Sequence, residues 1–475
     1  MTAVHMANDG KLDSTRLVAL LGPWSIGTGP LYRQLADAVD GLIEQGQLRT
    51  GDLLPPERRL ADALAASRST VVAAFDLLRD RGRVERRQGS GTRVVGPPLA
   101  TSVGQEFRTT PLFVPGAEIT ALLKAVPERM EAVDLEVRRW ANELGAADVD
   151  TIDPEGILAL RTAIAERYTR DGLPTTADAI IVTTGAQQAI SLAVAAVCGP
   201  GDVVVTEETT WPGLFDVVAR QGGRCFGVRM DEGGIDTDEL RAAVERHRPV
   251  AIALNPHHHN PTGTRLLPHR RRAVADIAAE YGVIVIEDRV AAPLAFDDVV
   301  AAPLATHRYD APIATVDSLS KTVWPGLRIG WLRAAPDLVR QVRMAKAIDD
   351  MFTPIPSQEI AVRLVRDLDA HVATRVEQLR RREAVAHEAL ATLLPDWEVA
   401  RPDGGLMMWA RLPAPVATAF IAHAARCGVL LAGAEAFAVS PPTNDRIRIA
   451  FSAPEPQLVA AIERTAEAWS TFRES

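Results

Sequence analysis

Cysteine is scarce in this sequence of 475 residues. The three cysteines, Cys198, Cys225 and Cys427, are isolated from one another and form no CxxC pair. That spacing argues against a disulfide framework and a cysteine-based zinc site, and it fits a reducing compartment. Long apolar runs are missing too, because glycine, proline or charged residues interrupt them before the ~18 residues that a membrane helix needs. We therefore expect a soluble cytoplasmic protein with no membrane partner.

A general excess of positive charge is also absent. The formal net charge is −9, unlike that of a protein that coats nucleic acid along its whole length. The distribution is uneven, because residues 1–96 contain 13 Lys/Arg against 11 Asp/Glu and the remainder contains 39 against 50. Only the amino-terminal part is suited to binding a polyanion. The length and the 47% apolar content predict a small domain plus a large one.

The amino-terminal part has the pattern of a small helical domain with a β-hairpin. Apolar residues one turn apart predict a helix from about Leu31 to Ile43, and a second short helix follows Pro56. A third helix is predicted over 69–81, and the short connection before it is typical of a helix-turn-helix. Two β-like runs, 83–87 and 92–95, predict a hairpin that would form a wing.

Basic and hydroxyl side chains cluster where such a domain would meet DNA. A recognition helix directs its first turn at base edges in the major groove, and Arg68, Ser69 and Thr70 lie there. Arg58 begins the preceding helix, where a guanidinium can contact a phosphate, and Gly89 at the wing tip permits close backbone approach. On charge alone, a solvated arginine-rich surface is the simpler explanation.

A change of pattern divides the small domain from the rest of the chain. Proline pairs and short polar stretches interrupt residues 97–127, which we interpret as a linker. Beyond it, apolar runs alternate with amphipathic helical patterns, which predicts a mostly parallel sheet covered by helices. Residues from about 370 to 475 predict a smaller α+β subdomain. The expected domains are 1–96 and 128–475, joined by the linker 97–127.

Three polar residues stand at or after the ends of predicted strands in the large domain. Asp288 closes one apolar run, Lys321 follows another, and Arg328 comes seven residues later. Ligands of α/β proteins bind at the carboxyl ends of parallel strands. An amine, a carboxylate and a cation are the groups that hold pyridoxal phosphate (PLP). Taken singly, the lysine would be a surface residue and the aspartate a helix cap.

Residues 30–95 resemble the GntR-type winged helix through PLYRQL and the run GQLRTGDLLPPERRLADALAASRSTVVAAFDLLRDRGRVERRQGSGTRVV. The resemblance implies DNA contacts at Arg58, Arg68, Thr70 and Gly89. Ser69 is a further candidate by its position. A proline stands where the family usually has a serine before the glutamate of PPERR.

Residues from about 145 to 475 resemble the fold-type I aminotransferases. The motifs are VTTGAQQAI, TTWPG, HNPTG, IED, SLSKTVWPGLRIGW, PDGGLMMW and RIRIAFS. The resemblance implies an α/β fold with PLP as cofactor, in which Lys321 forms the Schiff base and Asp288 pairs with the ring nitrogen. Asn260 would contact the phenolic oxygen and Trp211 would stack on the ring. The implied phosphate site consists of Ala186, Gln187, Ser318 and Arg328.

The implied site matches the aminotransferase pattern at the arginine that binds a carboxylate and departs from it at two tyrosine positions. Arg448 matches the family arginine that binds a substrate carboxylate, with Arg446 as the alternate. Val290 and Ala291 stand where relatives carry a tyrosine that hydrogen-bonds the cofactor, and Thr151 replaces a tyrosine that reaches across the dimer. Each missing charge-assisted hydrogen bond costs roughly 1.5 to 3 kcal/mol of cofactor binding or electronic tuning. We expect PLP binding to survive better than catalysis.

Three consecutive histidines, His257, His258 and His259, raise the question of a metal site, since imidazole is a common metal ligand. Adjacent residues in extended backbone point to opposite faces, so three in a row do not converge on one ion. We predict no metal here. The histidines are expected to line the loop that presents Asn260.

The order of the two domains resembles the MocR-like subfamily of GntR regulators. The resemblance implies a homodimeric transcription regulator that senses PLP, or an amine or amino acid that reacts with it, and binds paired half-sites of double-stranded DNA. Two alternatives stay open. The chain could be a PLP-dependent aminotransferase, at most a weak one, with an accessory DNA-binding module. Alternatively, the large domain could be a dimerisation scaffold only.

Overall fold

The computed structural model describes residues 14–22, 24–25, 29–44, 48, 52–80, 83–87, 91–94, 121–143 and 153–474. The chain divides into two compact units, Met1–Gln105 and Glu106–Ser475. Gly89 of the predicted wing, Thr151, and residues 97–120 of the predicted linker lie outside the described residues. No helix in the described part of the chain is long and apolar enough to cross a membrane.

The first unit packs helices and a hairpin around one apolar core. Its elements are α1 Ser14–Leu21, α2 Leu31–Glu44, α3 Glu57–Leu64, α4 Arg68–Asp80, β1 Val84–Arg87 and β2 Gly91–Val94. Each helix buries apolar residues that recur about one turn apart, among them Leu17 of α1, Leu35 of α2, Leu60 of α3 and Val71 of α4. Helix α1 precedes the first helix expected from the sequence, and the other elements lie where they are predicted.

The turn between α3 and α4 is closed by local hydrogen bonds. Ala65 ends α3 in the left-handed region with φ of 51°, and the amide of Ala66 donates to Ala61 O at 3.0 Å. Ser67 Oγ accepts from the Thr70 amide at 3.1 Å and so caps the start of α4. These bonds fix the angle between the two helices of the helix-turn-helix.

The wing is a two-stranded β-hairpin joined by one isolated bridge to the chain before α3. β1 and β2 pair antiparallel with Val84 opposite Val94, and both valines are buried. The Leu54 amide donates to Thr92 O and the Val94 amide donates to Asp52 O, both at 2.8 Å. The chain before α3 therefore pairs with β2 and ties the wing to the helices.

The second unit contains twelve described helices of α type and thirteen strands. The helices are α5 Glu131–Glu143, α6 Leu158–Arg170, α7 Ala186–Val197, α8 Pro212–Arg220, α9 Thr237–His247, α10 Pro268–Tyr281, α11 Pro336–Asp349, α12 Ile355–Arg366, α13 Leu368–Leu393, α14 Ala417–Arg426, α15 Ala434–Phe437 and α16 Glu455–Glu474. The strands are β3 Ile180–Thr183, β4 Val203–Glu207, β5 Arg224–Val228, β6 Met230–Asp231, β7 Gly234–Ile235, β8 Ala251–Leu254, β9 Ile284–Asp288, β10 Ile313–Ser318, β11 Gly330–Arg333, β12 Glu398–Val399, β13 Met407–Arg411, β14 Ala432–Gly433 and β15 Arg446–Ala450.

A seven-stranded sheet of order β3-β11-β10-β9-β8-β4-β5 forms the centre of the second unit. Only β11 runs antiparallel to its neighbours, which confirms the predicted mostly parallel sheet. Helices cover both faces: Ile180 and Val182 of β3 pack into one core, whereas Ile181 packs into the other. Burial on both faces explains why these strands are apolar at consecutive positions.

The carboxyl-terminal part is the predicted α+β subdomain. Its four-stranded antiparallel sheet has the order β12-β13-β15-β14 and packs against α13 and α16. The end of the predicted linker belongs to this core, because Leu122 and Ala125 are buried in it and the Ala450 amide donates to Leu122 O at 2.8 Å. Residues 121–127 therefore pack as part of the second unit.

Candidate functional site

The ends of β9 and β10 bring a carboxylate and an amine together. Asp288 ends β9 beside Val316 of β10, and its Oδ1 accepts from the Val290 amide at 3.0 Å. Burial raises the pKa of Asp288 to about 6, and nearby Lys321 opposes that rise. Burial lowers the pKa of Lys321 to about 8, with a further contribution from Arg448. The two groups share one secluded site at the carboxyl ends of the strands.

A narrow, mostly apolar cavity adjoins Asp288. Its lining residues are Ile190, Thr210, Trp211, Leu214, Ala253, Leu254, Asn255, Ile286 and Asp288. Trp211 is fixed at the start of α8, because its indole N–H donates to Gln187 Oε1 at 2.7 Å. The amide of that glutamine in turn donates to Gly213 O at 3.2 Å. Apolar walls with one carboxylate suit a flat aromatic ring that carries a protonated nitrogen.

An anion cradle lies next to this cavity. Helix α7 begins at Ala186, after Gly185 with φ of 122°, and a Cβ on Gly185 would lie 3.2 Å from Arg328 Nη2. The guanidinium therefore sits beside free amides at a helix start, where anions are favoured. The hydroxyls of Ser318 and Ser320 share a hydrogen bond of 2.6 Å at the end of the adjacent β10. These residues fit a phosphate.

Gly330 allows the cradle to form, and Gly330→Ala is expected to disrupt it. An added Cβ would lie 2.6 Å from the Gly185 carbonyl carbon and 2.8 Å from the Ala186 amide nitrogen. Overpacking of this kind costs about 1–3 kcal/mol, so we expect PLP affinity to fall by at least about 5-fold. An absorbance titration measures it. Gly199→Ala is the control, since its added Cβ would only touch Asp202 at 3.6 Å. Equal affinity for both variants would contradict this account of the cradle.

Arg448 is buried in a position that suits a carboxylate. Its Nη1 donates to Asn260 Oδ1 at 3.1 Å, its Nη2 donates to Leu123 O, and its guanidinium lies 4.9 Å from the centre of the Phe437 ring. Burial lowers the pKa of Arg448 to about 10. Its Nε is buried and has no hydrogen-bond partner within the described residues. A buried donor without a partner is a place where an anionic ligand is stabilised.

His257 and His259 have separate hydrogen-bond partners. His257 Nε2 lies 3.0 Å from Glu287 Oε1, and His259 Nδ1 lies 2.8 Å from Thr262 Oγ1. Burial lowers the pKa of His257, lowers that of His258 to about 4 and lowers that of His259 to about 3. Within the described ranges, no group of three or more His, Cys, Asp or Glu is arranged to hold a metal ion. The histidines support the loop that carries Asn260.

Four of the five predicted DNA contacts lie at two helix starts of the first unit. Arg58 is exposed near the start of α3, and Arg68 and Ser69 are exposed in the first turn of α4. Arg68 keeps 70% of its side chain exposed and lies 3.8 Å from Glu57. Thr70 is half-buried, and its hydroxyl is 2.8 Å from that of the capping Ser67. The arginines are thus available to a partner.

Sequence reasoning missed several groups that complete the site. Phe437 lies beneath Arg448, Ser320 joins the cradle, and Asn255 lines the cavity. The carbonyl oxygens of Leu123 and Ala125 accept from Arg448 and Lys321. Backbone carbonyls have no signature in a sequence. Only Ser320, within SLSK, had a motif that could have indicated it.

Two sequence-family profiles match this chain. One, "Bacterial regulatory proteins, gntR family", matches residues 31–94, and the other, "Aminotransferase class I and II", matches residues 126–464. The chain belongs to the aminotransferase class I and II family. The two matches together confirm the predicted fusion of a GntR-type winged helix with an aminotransferase domain, the architecture of MocR-like regulators.

Relatives of this family member include both regulators and enzymes. This chain is 28% identical over 435 residues to the vitamin B6 salvage pathway transcriptional repressor PtsJ of Salmonella typhimurium, and the match covers 89% of this chain and 95% of PtsJ. It is 27% identical over 449 residues to the HTH-type transcriptional regulator YjiR of Escherichia coli, covering 89% and 95%. Aromatic-amino-acid aminotransferase 1 of Thermococcus litoralis is 28% identical over 326 residues, covering 66% and 78%. The regulators thus match a larger share of the chain than this enzyme does.

Solved aminotransferases share the fold of this family member. The multiple substrate aminotransferase of Thermococcus profundus has a TM-score of 0.68 at 25% identity, covering 76% of this chain and 93% of that one. LysN of Thermus thermophilus has a TM-score of 0.68 at 23% identity, covering 74% and 94%. The predicted fold-type I architecture is confirmed.

Proposed function

We propose that this chain is a transcription regulator whose first unit binds double-stranded DNA and whose second unit binds PLP. The second unit would respond to PLP or to an amine or amino acid that reacts with it. The observation that carries the proposal is the buried site that joins Lys321, Asp288 and Arg448, in a chain whose other unit exposes Arg58 and Arg68 at helix starts.

The residues of the second unit fit PLP. The cofactor supplies, when bound, an aldehyde carbon that reacts with amines and a ring that withdraws electrons. Asp288 would stabilise the protonated ring nitrogen, and Trp211 would cover the ring. Gln187 would fix that tryptophan. Asn260 would meet the phenolic oxygen. The phosphate would be held by Ala186, Gln187, Ser318 and Arg328, with Gln187 contributing its backbone amide at the start of α7.

The same site favours detection over turnover. Ala291 is buried where relatives have a tyrosine, and its methyl group cannot donate a hydrogen bond to the cofactor. Lys321, Asp288 and Arg448 are retained, so amine binding and recognition of a carboxylate survive. The effector would therefore be an amine that carries a carboxylate, such as an amino acid.

A working aminotransferase is the second candidate, because Lys321, Asp288, Asn260 and Arg328 are all present. Amino acids and a keto acid added to the PLP-loaded chain distinguish the two functions. A regulator predicts a spectral change without repeated turnover. Sustained product formation at ordinary enzyme rates, about 1 per second or faster, would favour the enzyme.

We also propose that the chain acts as a homodimer on paired half-sites. Winged helices of dimeric regulators address half-sites about one helical turn of DNA, or a multiple of it, apart. The proposed domains are 1–96 for DNA and 121–475 for PLP and dimerisation, because residues 121–127 pack with the second unit. Sedimentation of the full chain with a duplex that carries one or two half-sites measures this stoichiometry.

Arg68 and Arg58 are expected to contribute to DNA binding in different ways. Arg68→Ala should relax base discrimination at one position by about 1–3 kcal/mol, if the guanidinium reads a base edge. Arg58→Ala should weaken binding to all duplexes alike and reduce the salt slope by about 1, as loss of a phosphate contact does. Binding to a selected duplex and its point variants at several salt concentrations measures both effects.

Arg79→Ala is the matched control for these two variants. Arg79 lies near the other end of α4 and pairs with Asp76 at 2.9 Å, so its loss should change neither discrimination nor the salt slope by a comparable amount. If Arg68→Ala and Arg58→Ala both bind every duplex as the unaltered chain does, the recognition helix has been placed wrongly.

A further inference from the structure

One short stretch of chain accepts hydrogen bonds from both Lys321 and Arg448. These are the two cationic side chains that the proposed function assigns to ligand binding. We name residues 121–128 the anchor segment. Four consecutive carbonyl oxygens of this segment each accept a hydrogen bond from a different donor. The pairs are Leu122 O with the Ala450 amide (2.8 Å), Leu123 O with Arg448 Nη2, Lys124 O with Ser452 Oγ (2.9 Å) and Ala125 O with Lys321 Nζ (2.7 Å). The backbone is thus fastened at every residue from 122 to 125.

A second link joins the end of the anchor segment to the loop that carries Lys321. Arg375 of α13 is fully buried and donates to Glu128 O at 2.7 Å. The same guanidinium donates to Val323 O at 3.0 Å and to Thr322 O at 3.3 Å. A buried carbonyl oxygen that loses its hydrogen-bond donor destabilises the fold. Arg375 and the carbonyl groups that it contacts are therefore expected to move together. A displacement next to Lys321 therefore reaches residue 128 as well.

Two of the four donors are groups that a ligand would also use. A ligand carboxylate forms stronger hydrogen bonds with a guanidinium than a neutral carbonyl does, so it competes with Leu123 O for Arg448. A group that engages Lys321 Nζ likewise removes the donor that faces Ala125 O. The Ala450 amide and the Ser452 hydroxyl lie outside this competition, so they continue to hold the segment when the cations are engaged.

We propose that the anchor segment reports ligand binding at Lys321 and Arg448 to the chain that leads to the DNA-binding unit. The segment is the first described stretch after β2, and it is joined to β2 through residues 95–120. PLP at Lys321 withdraws one of its four donors, and a carboxylate at Arg448 withdraws another. Each loss loosens the segment and so changes the DNA affinity of the first unit. The inference rests on the proposed function, because it needs a ligand in this site and DNA on the first unit.

Ser452→Ala tests the proposal, because it loosens the anchor segment without altering a ligand-binding residue. PLP affinity, from visible absorbance, is expected to stay within about threefold of that of the unaltered chain. Hydrogen exchange at the Ala450 amide should speed up, since this amide donates to Leu122 O. Without PLP, the variant should bind a duplex selected by the full chain with the affinity that the unaltered chain shows with PLP. The PLP-induced change in DNA affinity should then fall toward none.

Two more variants make the test decisive. Thr465→Val removes another buried hydroxyl, which donates to Ala461 O within α16 at 2.7 Å, and should leave the response to PLP intact. Arg375→Lys keeps the charge but loses the fork that joins residues 128 and 322–323, so it should weaken the response as Ser452→Ala does.

The inference is overturned if Ser452→Ala and Arg375→Lys both keep the full PLP-induced change in DNA affinity. The proposed function itself is contradicted by either of two results with the unaltered chain. The chain shows no visible absorbance with PLP, or it binds PLP without any change in DNA affinity.

Discussion

Lys321→Ala is expected to abolish the visible absorption band that PLP acquires on the protein, and with it the effect of PLP on DNA binding. Lys321 is the amine that lies with Asp288 in the secluded site, and its lowered pKa of about 8 makes the reactive neutral form accessible near neutral pH. The cradle for the phosphate would remain. We therefore expect weak PLP binding that dialysis reverses, measured by absorbance before and after dialysis.

Lys346→Met is the control for this variant. Lys346 of α11 is fully buried and pairs with Asp350 at 2.5 Å. Its loss should leave the visible band in place. A band of unchanged wavelength and intensity in Lys321→Ala would show that another amine holds the cofactor.

Asp288→Asn should reduce PLP affinity by roughly 10-fold to 100-fold, which corresponds to about 1.5–3 kcal/mol for a hydrogen bond to a charged group. The pKa of Asp288 is raised to about 6 by burial, and a protonated ring nitrogen beside it would restore the charged form. An asparagine keeps the shape but cannot carry that charge. An absorbance titration at neutral pH measures the affinity.

Glu207→Gln tests whether the effect is specific to Asp288. Glu207 ends β4, is also buried, and accepts from the Asn255 amide at 2.8 Å. Burial raises the pKa of Glu207 to about 7, so a glutamine closely imitates the protonated form already present near neutral pH. Similar losses of affinity in both variants would mean that general damage, rather than the partner of the ring nitrogen, explains the result.

Elements with local signals could be predicted from the sequence. Leu35 and Val39 mark the buried face of α2 at helical spacing, and runs such as 203–205 are apolar at every position because both faces of the sheet are covered. Helix α1 could not be predicted in the same way. Its run LVALL has no polar face to define a helical period, and Leu17 is buried only because other helices of the unit pack on it.

The chemical groups of the site could be predicted, but their supports could not. Lys321 and Asp288 stand in motifs, whereas Phe437 reaches Arg448 only through the pairing of β14 and β15. The anchor segment follows a stretch interrupted by proline and so was expected to be linker up to residue 127. Tertiary packing decides otherwise, because carbonyl oxygens of 122–125 satisfy donors that are more than a hundred residues distant in the sequence.

The central claim is that PLP binding in the second unit controls DNA binding by the first. The most direct measurement is the affinity of the full chain for a duplex that it selects from a random-sequence library, with and without PLP at fixed salt. We predict a change of at least about fivefold, the lower end of typical coupling between sites. An unchanged affinity in a sample whose visible absorption proves that PLP is bound would contradict the account.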